Sequence, residues 1–181
     1  MRAFHYYRTG ADHMKCIVYM AMTVNGYVAT KNNETPWSEE EWKAYETAVR
    51  KTKCLIIGRK TYEIMRRENN FEKLGNPFIV VLSKNKIISE NNCASAKTPE
   101  EALTLIKSKG YKDVLLGGGV LANTSFLQAG LVDEIILDIE SQFFGEGLHL
   151  FSPHPAIYHA QLLSTQLISP NVVQLHYKMK K

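Results

Sequence analysis

Two short stretches of this chain concentrate the residues most able to do chemistry. In the first, the apolar run Cys54-Leu55-Ile56-Ile57 ends at Gly58 and is followed by Arg59, Lys60 and Thr61. In the second, Val114-Leu115-Leu116 runs into Gly117-Gly118-Gly119 and then Val120-Leu121. A glycine lets the backbone turn tightly, and a helix that follows presents unpaired N–H groups and a positive dipole end to an anion. Arg59 and Lys60 add two cations and Thr61 a hydroxyl. The three glycines remove every side chain, so a bulky phosphate bridge can lie directly on the backbone. Either turn alone is more often structural; two at neighbouring strand ends point to a ligand with phosphates at more than one place. A third strand end, Leu82-Ser83-Lys84, offers a hydroxyl and a cation beside an apolar residue. It suits an adenosine carrying an extra phosphate, with Arg59 as the other clamp. One such charge contact at roughly 4 Å, in an effective dielectric of about 20, is worth roughly 4 kcal/mol before desolvation. Taken singly, Arg59 and Lys84 are equally well read as solvated surface charges.

Other nucleotide and catalytic motifs are excluded. An ATP phosphate loop needs glycine directly before Lys-Ser/Thr and another five residues earlier; here Arg59 intervenes and Lys53 holds the earlier position. The spaced-glycine dinucleotide fingerprint is absent, because Val120-Leu121-Ala122 follows the triple glycine. There is no hydrolase serine elbow and no HExxH spacing, and His149, His154 and His159 read as surface residues of a late loop. Cys16, Cys54 and Cys93 form no CxxC pair, and the first two sit in apolar runs as core residues would.

The elements that must carry these stretches alternate in type. Cys16 to Met22 is a nearly continuous apolar run, as in a strand covered on both faces, and Asn25-Gly26 turns the chain. After a polar loop ending at Trp37, Ser38 and Glu41 form a capping box ahead of a helix whose apolar face is Trp42, Tyr45, Ala48 and Val49. Cys54–Ile57, Phe78–Leu82, Asp113–Leu116 and Val132–Ile139 read as further strands. Helices are expected over Thr61–Arg67, after the Thr98-Pro99 cap as far as Gly110, and over Val120–Ala129. Alternating polar and apolar residues around Pro170-Asn171 predict a closing antiparallel hairpin. The class is α/β, with a mostly parallel sheet, helices on both faces and an antiparallel ending. In such sheets ligands bind beyond the carboxyl ends of the strands, where the glycine turns lie.

At 181 residues the chain fits a single domain, here residues 14–181, with a loose tail over residues 1–13. Those 13 residues lack the apolar stretch of a signal peptide, and Met14-Lys15 offers a second start. No apolar run reaches the length of a membrane span. A net charge of +4 spread along the chain argues against nucleic-acid binding and suits a small anionic ligand. An odd, sparse count of three cysteines fits a reducing, cytoplasmic setting.

Taken in order, Ala21, Asn25-Gly26, Asn33-Glu34-Thr35-Pro36-Trp37, Gly58-Arg59-Lys60-Thr61, Val81-Leu82-Ser83 and Gly117-Gly118-Gly119 resemble the dihydrofolate reductase superfamily. Ala129 to Ile135, followed by Phe144-Gly145-Glu146-Gly147, is similar to the reductase domain of bacterial riboflavin biosynthesis and its stand-alone relatives. The resemblance implies a three-layer sandwich, an NADPH cofactor, a small-molecule substrate and pairing of two copies through their sheets. Arg59 and Ser83, with Leu82, Lys60 and Lys84 around them, are expected to hold the adenosine phosphate. Thr61 and the glycines are expected to hold the pyrophosphate, and backbone groups near Ala21 and Met22 the nicotinamide amide; Val120 and Leu121 are also expected to be cofactor-binding. The Gly117-Gly118 bond is often cis in that family. Two departures stand out. The helix carboxylate that anchors the pterin in folate reductases falls on Trp42, Glu41 being assigned to the cap; and Asn25 replaces a usual Asp. The implied activity is NADPH-dependent hydride transfer to a small heterocyclic (pterin- or pyrimidine-like) or carbonyl carbon. Asn25, Trp37 and Trp42 line the substrate side, and the proton comes from water. A true dihydrofolate reductase and a non-catalytic nucleotide-binding module are the alternatives.

Overall fold

The computed structural model describes residues 14–85, 88–90 and 92–180. The expected tail, residues 1–13, lies outside them. Nine strands form one sheet in the order β10-β11-β8-β1-β7-β3-β4-β6-β5. The central ones are β1 (Lys15–Thr23), β3 (Cys54–Gly58), β4 (Phe78–Leu82), β6 (Cys93–Ala96), β7 (Asp113–Leu116) and β8 (Glu134–Glu140), all mutually parallel. At one edge β5 (Ser89–Glu90) is antiparallel to β6. At the other, β11 (Val172–Met179) is antiparallel to β8 and pairs with the edge strand β10 (Ala160–Ser169), the expected hairpin about Pro170-Asn171. The α/β class and antiparallel ending are as expected. Not expected were β5, β6, and a small second sheet of β2 (Tyr27–Thr30) with β9 (Gly147–His149), elements too short to leave a periodic pattern.

Strands β3 and β4 are apolar throughout because both their faces are covered, whereas β8 carries Glu134, Asp138 and Glu140 among its apolar residues. On one face α4 (Pro99–Ser108) and α5 (Val120–Gln128) bring Leu103, Ile106, Ala122 and Phe126 onto Cys16, Val18, Ile56, Val80 and Leu116. On the other, α1 (Glu39–Thr52) and α2 (Arg59–Arg67) bring Tyr45, Val49, Tyr62 and Met65 onto Tyr19, Leu55, Ile57 and Leu115. A one-turn helix, α3 (Asn70–Lys73), follows α2. Each large aliphatic side chain fully buried in these layers contributes about 1.5–3 kcal/mol. Cys16, Cys54 and Cys93 are buried thiols outside any disulfide, and burial pushes the Cys54 thiol up to about 12.

The helix starts are less simple than their sequences. Thr98 accepts the Glu101 amide (3.2 Å), but the Glu101 carboxylate returns to Lys97 N (2.8 Å), one residue before the cap. In α2 the helix begins at Arg59, with Gly58 as an N-cap that has no capping side chain. His154 is not a plain surface residue, as its Nδ1 lies 2.9 Å from the Ser152 carbonyl. Its Nε2 is buried without a partner among the described residues.

Candidate active site

The cleft opens where β7 stops. β1 pairs with β7 only as far as Val18 opposite Leu116, yet runs on beside β8 to Thr23. Once the chain leaves the sheet at Gly117, the β7 side of β1 from Tyr19 to Ala21 has no strand beside it. A cavity of about 1150 Å³ occupies that space and extends past the ends of β3 and β4. This is the switch-point position at which open α/β sheets bind ligands.

The glycine turn is sewn to the end of β3. Gly117 N–H donates to the Ile56 carbonyl (2.9 Å), and Gly58 N–H donates to the Gly118 carbonyl (2.8 Å). A Cβ on Gly117 would run into the Tyr45 hydroxyl and approach Leu55 Cδ1 to 2.8 Å. Gly118 and Gly119 turn the chain at φ values of 98° and 25°, conformations that L side chains avoid. The Gly117-Gly118 bond is trans, a departure from the family habit; positive φ at the two following glycines makes the turn.

Two helix N-termini converge here, α2 after Gly58 and α5 after Gly119, and neither has a capping side chain. Gly119 N–H donates to Thr61 Oγ1 at 3.2 Å, which fastens the two starts together. With Gly117 and Gly119 N–H thus engaged, the triple glycine is not the bare anion cradle expected. The amides without an intrahelical acceptor are those of the first turn of α5, from Val120 onward. Arg59, Lys60, Lys84 and Lys97 line the same end of the cleft. The Arg59 guanidinium is paired with Glu63 one turn on, at 3.0 Å, in a half-exposed pair of small worth to stability. Ser83, Lys84 and Lys97 also share an adjoining hollow of about 290 Å³.

The other end is apolar and aromatic. Tyr19, Met20, Ala21, Trp37, Trp42 and Tyr45 line it. Trp37 stacks on Phe144, with centroids 5.8 Å apart, and Trp42 packs beside Tyr45 at 5.7 Å. Gly58 to Thr61, Leu82 to Lys84 and Gly117 to Leu121 thus come together with Ala21, Trp37 and Trp42 around one cavity. Asn25 and Met22 do not join them. The Asn25 side chain ties its turn to the next loop: Nδ2 donates to the Phe144 carbonyl (2.7 Å), and Oδ1 accepts from Thr23 Oγ1 (2.9 Å). Met22 lies against the Gly26 turn, its Cε 3.8 Å from where a Gly26 Cβ would be.

Glu41 is not the cap residue that its spacing from Ser38 predicts. Its amide donates to Ser38 Oγ at 3.3 Å, so half of the capping box exists. The other half does not, because Ser38 N–H donates instead to Glu140 Oε1 (2.8 Å), and so does Ser38 Oγ–H (2.6 Å). The Glu41 side chain lines the cavity, the residue is 2% exposed, and no hydrogen bond reaches its carboxyl from the described residues. Burial, then the charges of Asp138 and Glu140, push the carboxyl up to about 8. Asp138 is raised by burial too, an effect offset in part by donation from Tyr19 Oη (2.7 Å) and Gln174 Nε2 (2.8 Å). Two sequence signals could have shown this. Glu41 precedes Tyr45 and Val49 at intervals of four, in register with the buried stripe of the helix. Asp138 and Glu140 are two apart on a strand, and so share a face.

Among the described residues no group of His, Cys, Asp and Glu could hold a metal ion, and no helix is long and apolar enough to cross a membrane. The fold recurs in solved proteins. A protein of Shewanella sp. PV-4 named for riboflavin biosynthesis is 19% identical at a TM-score of 0.78, covering 93% of this chain and 100% of its own. A pyrimidine reductase-like protein of Corynebacterium diphtheriae is 15% identical at 0.72, covering 93% and 92%. In Thermotoga maritima a diaminohydroxyphosphoribosylaminopyrimidine deaminase/5-amino-6-(5-phosphoribosylamino)uracil reductase is 13% identical at 0.70, covering 93% of this chain and 57% of that one. The uncharacterized Bacillus subtilis protein YyaP is 26% identical over 177 residues, which is 90% of this chain and 94% of YyaP. Residues 14–174 match the RibD C-terminal domain family, and this chain belongs to it.

Proposed function

We propose that the protein is an NADPH-dependent reductase of the riboflavin-reductase type, acting on a small heterocyclic or carbonyl substrate. One observation carries the reading: a single cleft joins two helix starts without side-chain caps and a basic rim to an aromatic pocket floored by a buried carboxyl. A dinucleotide needs the first half and a reducible ring the second.

The residues fit the cofactor. The first turns of α2 and α5 offer backbone N–H groups and positive dipole ends to a pyrophosphate. Thr61 Oγ1, which accepts from Gly119, keeps its own hydrogen to give. Arg59 flanks the adenosine end, and Ser83, Lys84 and Lys97 border a hollow of about 290 Å³ that suits an extra phosphate. The unpaired edge of β1 at Tyr19 to Ala21 offers backbone groups to an amide. Bound there, the cofactor supplies hydride. Trp37 and Trp42 line the substrate end and exclude water from it, and Glu41, rather than water, holds the proton for the reduced atom.

Glu41 also gives weight to a second reading, true dihydrofolate reduction, since it returns a carboxyl to the helix that carries one in folate reductases. It weakens the case for a non-catalytic module. The 5-amino-6-(5-phosphoribosylamino)uracil named for the Thermotoga maritima neighbour and dihydrofolate are therefore the first two substrates to try. Titration with NADPH and NADH separately is the primary test. Tighter binding of NADPH is expected, and failure of both to bind removes the reading.

A further inference from the structure

We propose that Glu140 is a positioning residue that takes the place of Glu41 at the Ser38 cap and so turns the Glu41 carboxyl into the cleft as the proton source. The inference rests on the cleft being a reductase site.

In a reciprocal cap the carboxylate at the third helical position returns to the N-cap amide. Helix α1 has the residues for it, Ser38 and Glu41, and the Ser38 side chain does accept the Glu41 amide. The returning carboxylate, however, comes from another element. Glu140, the last residue of β8, accepts both Ser38 N–H and Ser38 Oγ–H on Oε1. With that donor occupied, Glu41 has no backbone N–H to return to, and its carboxyl lines the cavity without a hydrogen bond among the described residues. Burial without a donor makes its charged form costly to the fold. The ordinary cap, one turn away, would have avoided that penalty. Local rules broken in this way mark functional sites.

The groups around Glu41 decide where a proton resides. Asp138 and Glu140 face it from β8, Tyr19 from β1 and Tyr45 from its own helix, with no cation among them. Asp138 is held by Tyr19 and Gln174, and Glu140 by Ser38. Glu41 is the carboxyl without donors, so it is the one that keeps a hydrogen. In the reduction of a C=N bond, a bound reduced nicotinamide would supply the hydride that the carbon gains and would itself be oxidised. The π pair moves to nitrogen, and nitrogen bonds the Glu41 hydrogen. Glu41 is left as carboxylate and regains a proton from solvent when product leaves.

The test is carboxyl ¹³C NMR titration of the nucleotide-free protein labelled at glutamate, for wild type, Glu41→Gln, Glu140→Gln and Glu140→Ala, with pH profiles of kcat. Wild type is expected to show one glutamate titrating near pH 8, absent in Glu41→Gln. Glu140→Gln keeps an acceptor for Ser38 but not the charge, so this titration and the alkaline limb of kcat should fall by about one pH unit. Glu140→Ala frees the Ser38 amide. Glu41 should then swing back to cap it, titrate in the ordinary carboxylate range and lose kcat as fully as Glu41→Gln does. Should Glu140→Ala fail to fold, Glu140→Gln decides alone. An ordinary titration of Glu41 in wild type, or an unmoved one in both Glu140 variants, overturns the proposal. Neither result touches NADPH binding by wild type, whose absence would instead remove the functional reading.

Discussion

The Thr61 hydroxyl accepts the Gly119 amide at 3.2 Å, so the first turn of α2 and the turn into α5 are one unit. Both helix starts aim at the same cavity, and their relative placement sets where two linked phosphates can rest. Thr61→Val keeps the shape and removes the acceptor. It should cost about 1 kcal/mol of stability through the stranded amide and weaken NADPH binding about tenfold. Thr61→Ser should retain both. Equal affinity of the Val and Thr proteins in a fluorescence titration would show that the link plays no part in binding.

Arg59 sits at the basic rim and shares its guanidinium with Glu63, both side chains about half exposed. Removing an exposed pair of this kind changes stability by about 0–1 kcal/mol. Its loss should nevertheless matter to a ligand with an extra phosphate. Arg59→Ala is expected to weaken NADPH binding by roughly ten- to a hundredfold, about 1.4–2.8 kcal/mol, while NADH binding stays as it was. A parallel loss for both nucleotides would place Arg59 at the pyrophosphate instead.

Gly117 has no freedom to be anything larger, for reasons of space alone. A Cβ there meets the Tyr45 hydroxyl and lies 2.8 Å from Leu55 Cδ1, and Leu55 is fully buried. Gly117→Ala should therefore lose about 1–3 kcal/mol by overpacking. Tyr45→Phe removes the hydroxyl in the way, so the double variant should be more stable than the sum of the single effects implies. Urea unfolding of the four proteins gives the coupling, and strict additivity would mean that Tyr45 is not the obstacle.

The strands and glycine turns were legible because each depends on local pattern. Cys54 to Ile57 is apolar throughout, as a strand covered on two faces must be, and the turn after it needs glycine. The residues that follow those turns come with them, so the gathering of Gly58 to Thr61 and Gly117 to Leu121 at one cavity could be anticipated. The substrate side depends on pairings far apart in the chain, and there local pattern misled. Ser38 and Glu41 have the spacing of a complete capping box, yet half of it is filled by Glu140, 102 residues away. Asn25 beside a glycine resembles a site residue, but its amide is held by Phe144 in a loop 119 residues on. Which of two chemically equal carboxylates reaches a given N–H is a matter of sheet register, and β8 is brought beside β1 only by the whole fold.

Glu41 makes stability depend on pH in a direction opposite to that of a salt-bridged carboxylate. Its folded-state value is raised to about 8, from an ordinary 4.5 in the unfolded chain. Below pH 4.5 both states hold the proton, and the cost of burying its charge is absent. Between 4.5 and about 8 only the folded state holds it, so stability falls as pH rises, and above 8 the loss is complete. The slope in that window is about 1.4 kcal/mol per pH unit for one proton. Glu41→Gln has no proton to lose. Its stability relative to wild type should therefore climb from pH 5 to 8 and then level off, while the terms from Asp138, Tyr19 and Tyr45, present in both proteins, largely cancel. Denaturant unfolding at pH 5, 6.5, 8 and 9 measures this difference. A constant gap between the two proteins across that range would mean that Glu41 is already ionised in the folded chain.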